Sequence, residues 1–268
     1  MKRLIIENIK ERCSIGFVTI FALFLASVVA FSVWRAGDYV FRDSLDFYFF
    51  ILENLISMIF PFIITFIYLS LFSGEIKNRF HVYTRTRVPI ETYLKSKFIS
   101  NALLTFITVF LFMFSCFVIA YYILPALGLI QMNFYDYGLN ETTITEDQFT
   151  RYTFTQILRY GEITYGLLYS LWVGINAVCY TSIGFMFLLF IRNQFVALSI
   201  PVLIYYCGSF ILGALFSLPY QFIFSVFPFG YKQISMTILL VPASLLILIF
   251  ALQYFSFKVN RNRLDQLT

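Results

Sequence analysis

Titratable and metal-binding side chains are scarce in this sequence. It holds a single histidine, His81, and charged residues make up only 12% of its 268 positions, about half the share usual in a soluble domain. The four cysteines, Cys13, Cys116, Cys179 and Cys207, lie far apart, with no C-x-x-C pair and no histidine cluster to complete a metal site. They read as small apolar side chains, and no metal site is expected. Also missing are a G-x-x-x-x-G-K-[ST] loop, an H-E-x-x-H helix and a G-x-S-x-G elbow. The chain therefore lacks the phosphate cradle of P-loop proteins and the signatures of zinc peptidases and serine hydrolases. No acid/base pair stands out, so no catalytic residue is assigned, no cofactor is expected on this chain, and the protein is not expected to be an enzyme. Nothing in the pattern suggests a nucleic-acid partner.

What is abundant is apolar and aromatic. Hydrophobic residues are 60% of the chain, and 35 Phe and 19 Tyr bring the aromatic share to 21%. This is the composition of an integral membrane protein. A bilayer core about 30 Å thick takes a helix of about 20 apolar residues. Runs at 15–34, 54–73, 98–124, 163–190, 195–216 and 234–257 meet that need. The expected fold is an all-α polytopic membrane protein with six transmembrane helices in one domain, 1–268. As drawn, these runs hold no ionisable residue in their interiors, which argues against a proton-coupled pump or a voltage sensor. Uncharged polar residues remain there, among them Ser57, Thr65, Asn101, Thr105, Asn176, Thr181 and Gln253, available for interhelical hydrogen bonds or for substrate contact.

Lys and Arg gather in 1–14, 74–97 and the C-terminal tail, whereas acids such as Asp38, Asp43, Asp46, Glu141, Glu146 and Asp147 fall in the alternate segments. Cationic loops stay in the cytoplasm, so both termini are expected there, in a multi-pass protein of a bacterial cell membrane. On the outer side, 125–162 is a long insertion. Its Thr145-Glu146-Asp147-Gln148 has capping-box form, predicting a helix from Glu146 toward Tyr160, although the alternating FTRYTFTQ also suits a strand. Between the fifth and sixth runs, SLPYQFIFSVFPFGYKQ is broken by Pro219 and Pro228. It reads either as a re-entrant outer segment or as an interfacial aromatic loop.

The most polar stretch is GEIKNRFHVYTRTRVPIETYLKSK, Gly74 to Lys97, between the second and third runs. Ile76, Phe80 and Tyr83 recur at helical spacing opposite Lys77, Arg79 and Arg85, and Pro89 separates this short helix from the next. Such a segment either lies on anionic lipid or docks a soluble partner.

With these residues in view, the chain resembles the permease subunits of type-2 ABC exporters. In that family an acidic residue leaves the second span, a coupling helix follows, then a proline, and a lysine enters the third span. Glu75, the stretch 78–87, Pro89 and Lys97 fit that outline. Met1 to Ser14, with Leu4, Ile5 and Ile9 among basic residues, is similar to the family's N-terminal amphipathic interfacial helix. The resemblance implies a cytoplasmic coupling helix whose ATPase interface comprises Glu75, Lys77, Arg79, Phe80, Tyr83, Arg85, Arg87 and Pro89. It implies ATP-binding cassette ATPase subunits as partners, carrying the ATP and Mg, together with a second permease copy or homologous permease in the membrane lipid. Phe-rich spans without core charge suit an amphipathic or hydrophobic cargo, such as an antimicrobial or other peptide, a drug or a lipid-linked molecule. A membrane enzyme acting on lipid intermediates and a non-transporting sensor or scaffold are the alternative classes.

Overall fold

A computed structural model of the chain describes residues 1–78, 88–229 and 233–259, with side chains as far as Phe255. Among the described residues the fold is helical, the only extended pairing being an isolated bridge between Phe41 and Met132. In chain order the helices are α1 (Lys2–Arg12), α2 (Ile15–Ala36), α3 (Ser44–Ile67), α4 (Leu69–Lys77), α5 (Ile90–Ala126), α6 (Thr143–Arg151), α7 (Glu162–Phe190), α8 (Gln194–Leu215), α9 (Phe222–Val226) and α10 (Met236–Val259). Six of them, α2, α3, α5, α7, α8 and α10, are long and apolar enough to cross a bilayer. The protein is a multi-pass membrane protein.

The bundle is built around α7, which packs most extensively against α5. Small residues bring α7 close to its neighbours, to α5 at Gly174 and to α4 and α8 at Gly184. Gly174 lies under Phe106 of α5, and a Cβ at Gly184 would sit 2.6 Å from Leu69 Cδ1 and 2.8 Å from Pro201 Cγ. Such close approach is how helices gain packing energy in lipid, where no hydrophobic difference drives them together. By contrast α2, α8 and α10 leave most of their apolar surface uncovered.

The second span departs most from the sequence expectation. It starts at Ser44 rather than 54, because the Asp43 carboxylate caps it by accepting from the Asp46 N–H at 2.9 Å. Glu53, which precedes the run at 54–73, consequently lies within α3, on an exposed face of a π-helical turn, Leu52–Ile56. Pro61 then removes the N–H that would pair with the Ser57 carbonyl. That carbonyl instead accepts from the Tyr205 hydroxyl of α8 at 2.8 Å, and the Met58 carbonyl accepts from Tyr206. At Tyr68 the helix breaks (φ −134°, ψ −40°), and the Arg12 guanidinium of α1 donates to the Phe66 and Ile67 carbonyls, both at 2.6 Å. Burial lowers the Arg12 pKa from its usual value, partly offset by Cys13. Tyr205→Phe leaves the Ser57 carbonyl unpaired in an apolar setting. It is expected to cost about 0.6–2 kcal/mol, measured as a lowered midpoint of thermal unfolding in detergent.

The insertion is helical rather than extended at 143–151, and α6 begins before the predicted Glu146. The Asn140 carbonyl accepts from the N–H groups of Thr143 and Ile144, while Gln148, the presumptive box partner, turns away to donate to Asp43 at 2.9 Å. The helix stops at Arg151 instead of running to Tyr160. Tyr152 is extended, Phe154 takes a left-handed φ of 72°, and a 3-10 turn follows at Thr155–Tyr160. Asn193 caps α8 by accepting from the Phe195 and Val196 N–H groups, which closes a tight turn after α7. Between α8 and α10, α9 buries Phe222, Val226 and Phe227. Trp172 of α7 donates to the Ser225 carbonyl at 2.8 Å, and the Ser225 hydroxyl donates to the Leu239 carbonyl at 3.0 Å.

Candidate functional site

Two buried ion clusters mark opposite ends of the bundle. At the basic end, α4 delivers Glu75 in its last turns and α5 delivers Tyr93 and Lys97, one helical turn apart on the same face. Lys97 Nζ lies 2.6 Å from Glu75 Oε1, and the Tyr93 hydroxyl donates to Glu75 Oε2 at 2.6 Å. The ammonium also sits 5.6 Å from the centre of the Tyr93 ring, a cation–π geometry. Lys97 is only 6% exposed, so the pair is held in a setting where a lone charge would be costly. Burial, followed by the charges of Glu75 and Glu11, pushes the neighbouring Tyr68 phenol well above its usual pKa. Beside this cluster, α1 packs on α5.

The pair joins the acidic residue and the lysine that the sequence outline singled out, across the stretch that separates α4 from α5. Of the other residues assigned to a partner interface, Lys77 and Pro89 are exposed at the ends of these helices. Arg79, Phe80, Tyr83, Arg85 and Arg87, and with them the predicted coupling helix, lie outside the described residues.

At the acidic end Arg151 is 4% exposed in its side chain and is surrounded by carboxylates. Its Nη1 donates to Asp43 at 3.0 Å and to Asp46 at 2.9 Å, its Nη2 to Asp43 at 3.0 Å, and its Nε to Asp147 at 2.8 Å. Arg42 adds a second cation, 2.8 Å from Asp46. Burial alone would lower the Arg151 pKa, but the hydrogen bonds and charges of Asp43, Asp46 and Asp147 outweigh it and raise it. The neighbouring Tyr152 phenol is pushed up to about 12, by burial first and then by Asp46. This cluster bolts the insertion onto the start of α3. Sequence reading treated these acids as dispersed. The Asp147-x-x-x-Arg151 spacing was the available signal, but the partners Asp43 and Asp46 lie more than a hundred positions away.

A third feature is an open apolar groove of about 660 Å³ between α2 and the far end of α5, lined by Ala22, Ala26, Ala30 and Trp34 on one side and Ile119 and Leu124 on the other. No family model, curated protein or solved structure matches the chain.

Proposed function

We propose that the chain is the transmembrane subunit of an ATP-driven type-2 ABC exporter. The observation that carries this reading is the buried Glu75–Lys97 pair. It fastens α4 to α5 at the two roots of the basic stretch 79–87, so a force applied to that stretch reaches both helices together. In this reading the basic end is cytoplasmic, and Phe80 and Tyr83 insert into a cleft of an ATP-binding cassette subunit. The cationic residues meet its acidic rim, while ATP and Mg stay on that partner. The uncovered faces of α2 and α8 and the Ala-lined groove offer apolar surface to a second permease. α9 serves as the re-entrant outer helix, since the Phe222 ring reaches within 6.4 Å of Tyr180, deep in α7. The cargo is amphipathic or hydrophobic: a peptide, a drug or a lipid-linked molecule.

The test is co-expression with candidate ATP-binding cassette subunits, followed by affinity capture and assay of ATP hydrolysis. Capture and stimulated hydrolysis are expected from the parent chain. The double variant Phe80→Ala/Tyr83→Ala should lose both by at least about tenfold, since anchors of this kind carry about 2 kcal/mol or more. Undiminished capture and hydrolysis in the double variant would overturn the assignment.

A further inference from the structure

The second span carries a carboxylate on its one open face. Of the 24 residues of α3 only Glu53, Met58, Phe62 and Phe66 are exposed. Steps of five, four and four keep them on one stripe, because the π-helical turn Leu52–Ile56 takes up one residue more than an α-helical turn. Elsewhere the helix is covered. α2 flanks it through Arg35, whose Nη1 donates to Asn54 Oδ1 at 2.8 Å, and α8 flanks it through Tyr205 and Tyr206. The Tyr206 ring lies 6.3 Å from that of Phe62, at the edge of the stripe.

Glu53 lies at membrane depth. Tyr205, near the middle of α8, reaches the Ser57 carbonyl, and Glu53 precedes Ser57 by one turn, about 5 Å toward the acidic end. Phe49, a further turn out, still packs on Tyr169, two turns inside the start of α7. A carboxylate facing hydrocarbon is costly and calls for a partner. Among the described residues its oxygens make no ion pair and accept no hydrogen bond. The flanking helices do not supply a cation: α8 has no charged residue, and the one charge of α2 is Arg35, directed at Asn54. A second copy seated face to face on the stripe sets Glu53 against its like.

The missing cation therefore comes from outside the chain, and the rest of the stripe says of what kind. A hard metal ion needs a cage of oxygens, whereas the stripe holds a single carboxylate. Beside it lie the Met58 thioether and the rings of Phe62 and Tyr206, surfaces that suit an organic cation with an apolar body.

We propose that Glu53, with Met58, Phe62 and Tyr206, forms a binding site for an amphipathic organic cation, entered from the bilayer between α2 and α8. The site lies within one chain and does not depend on the exporter reading; joined to that reading, it makes the cargo cationic.

The experiment measures equilibrium binding of tritium-labelled tetraphenylphosphonium to the purified full chain in nanodiscs of zwitterionic lipid, with empty discs subtracted. The parent is expected to bind saturably, Glu53→Gln at least about tenfold more weakly, and Phe62→Ala about threefold more weakly. Arg35→Gln removes a like charge beside the ligand and should bind as tightly as the parent or tighter. Uncharged triphenylphosphine oxide should not distinguish the parent from Glu53→Gln. Equal affinity of tetraphenylphosphonium for the parent and Glu53→Gln, or no saturable binding to the parent, refutes the site. So does a loss in Arg35→Gln as deep as that in Glu53→Gln, which makes the two side chains a structural pair. The parent chain supplies a second reading that no misfolded variant can cloud. Dicyclohexylcarbodiimide should modify Glu53, located by mass spectrometry of its peptide, and saturating tetraphenylphosphonium should slow that reaction. An unchanged rate, or a carboxyl that the reagent does not reach, counts against the proposal equally. No ATPase is present in either assay, so a negative result leaves the exporter reading untouched.

Discussion

Arg151→Met should be among the most destabilising single substitutions in this protein, with a loss of about 3–5 kcal/mol, the range seen when one partner of a buried ion pair is removed. Among the described residues the change leaves Asp43 with only the Gln148 amide and the Asp46 N–H as donors, and leaves Arg42 as the cation beside Asp46 and Asp147. Like charges held close with little water repel strongly. Because Asp43 also caps α3, its carboxylate cannot turn away without releasing the start of the second span. The expected readouts are an unfolding midpoint lowered by about 10 °C, at about 2–4 °C per kcal/mol for a chain of this size, and faster proteolysis within 127–160. Adding Asp43→Asn to Arg151→Met should restore part of the loss, since it removes one stranded charge while keeping an oxygen for the cap. A loss below about 1 kcal/mol would place the cluster among ordinary solvated surface pairs.

Lys97→Met is expected to cost a comparable amount, about 3–5 kcal/mol, because it strands the Glu75 carboxylate beside the Tyr93 and Tyr68 rings. The double variant Glu75→Gln/Lys97→Met should recover most of that stability, since neutral side chains of similar size often replace a buried pair at little cost. The double variant also separates structure from coupling. If the pair conveys force from a docked ATPase, the folded double variant captures the partner normally but loses most of the stimulated hydrolysis. If the pair only fastens α4 to α5, hydrolysis returns together with stability. Thermal unfolding, capture and hydrolysis measured on the four proteins of the cycle distinguish these outcomes.

Membrane residence was legible in the sequence because it follows from composition and run length, which do not depend on how the chain folds. Local punctuation was legible for the same kind of reason. Pro89, read as the break between two helices, marks the start of α5. The outline that picked Glu75 and Lys97 as flanking residues named two side chains that do meet in the structure. The start of α3 was misplaced because apolar run length outweighed the capping signal of Asp43, whose weight becomes clear once Arg151 and Gln148 are seen to hold the same carboxylate. Likewise the helices extend beyond the apolar runs, so that Lys97 and Glu53 lie within α5 and α3.

By itself, then, the sequence determined that the chain lives in a bilayer, that its elements are helices, and where the sharpest turns fall, since these depend on each residue's transfer energy and its neighbours within one helical turn. Only the tertiary structure decided which charges are buried and with whom. It also decided that Tyr205 repairs the gap left by Pro61, and that among the described residues the Asn101 and Thr105 side chains find no hydrogen-bond partner. Those outcomes depend on the register between helices far apart in the chain, which steric fit at small residues such as Gly174 and Gly184 sets and which no local pattern encodes.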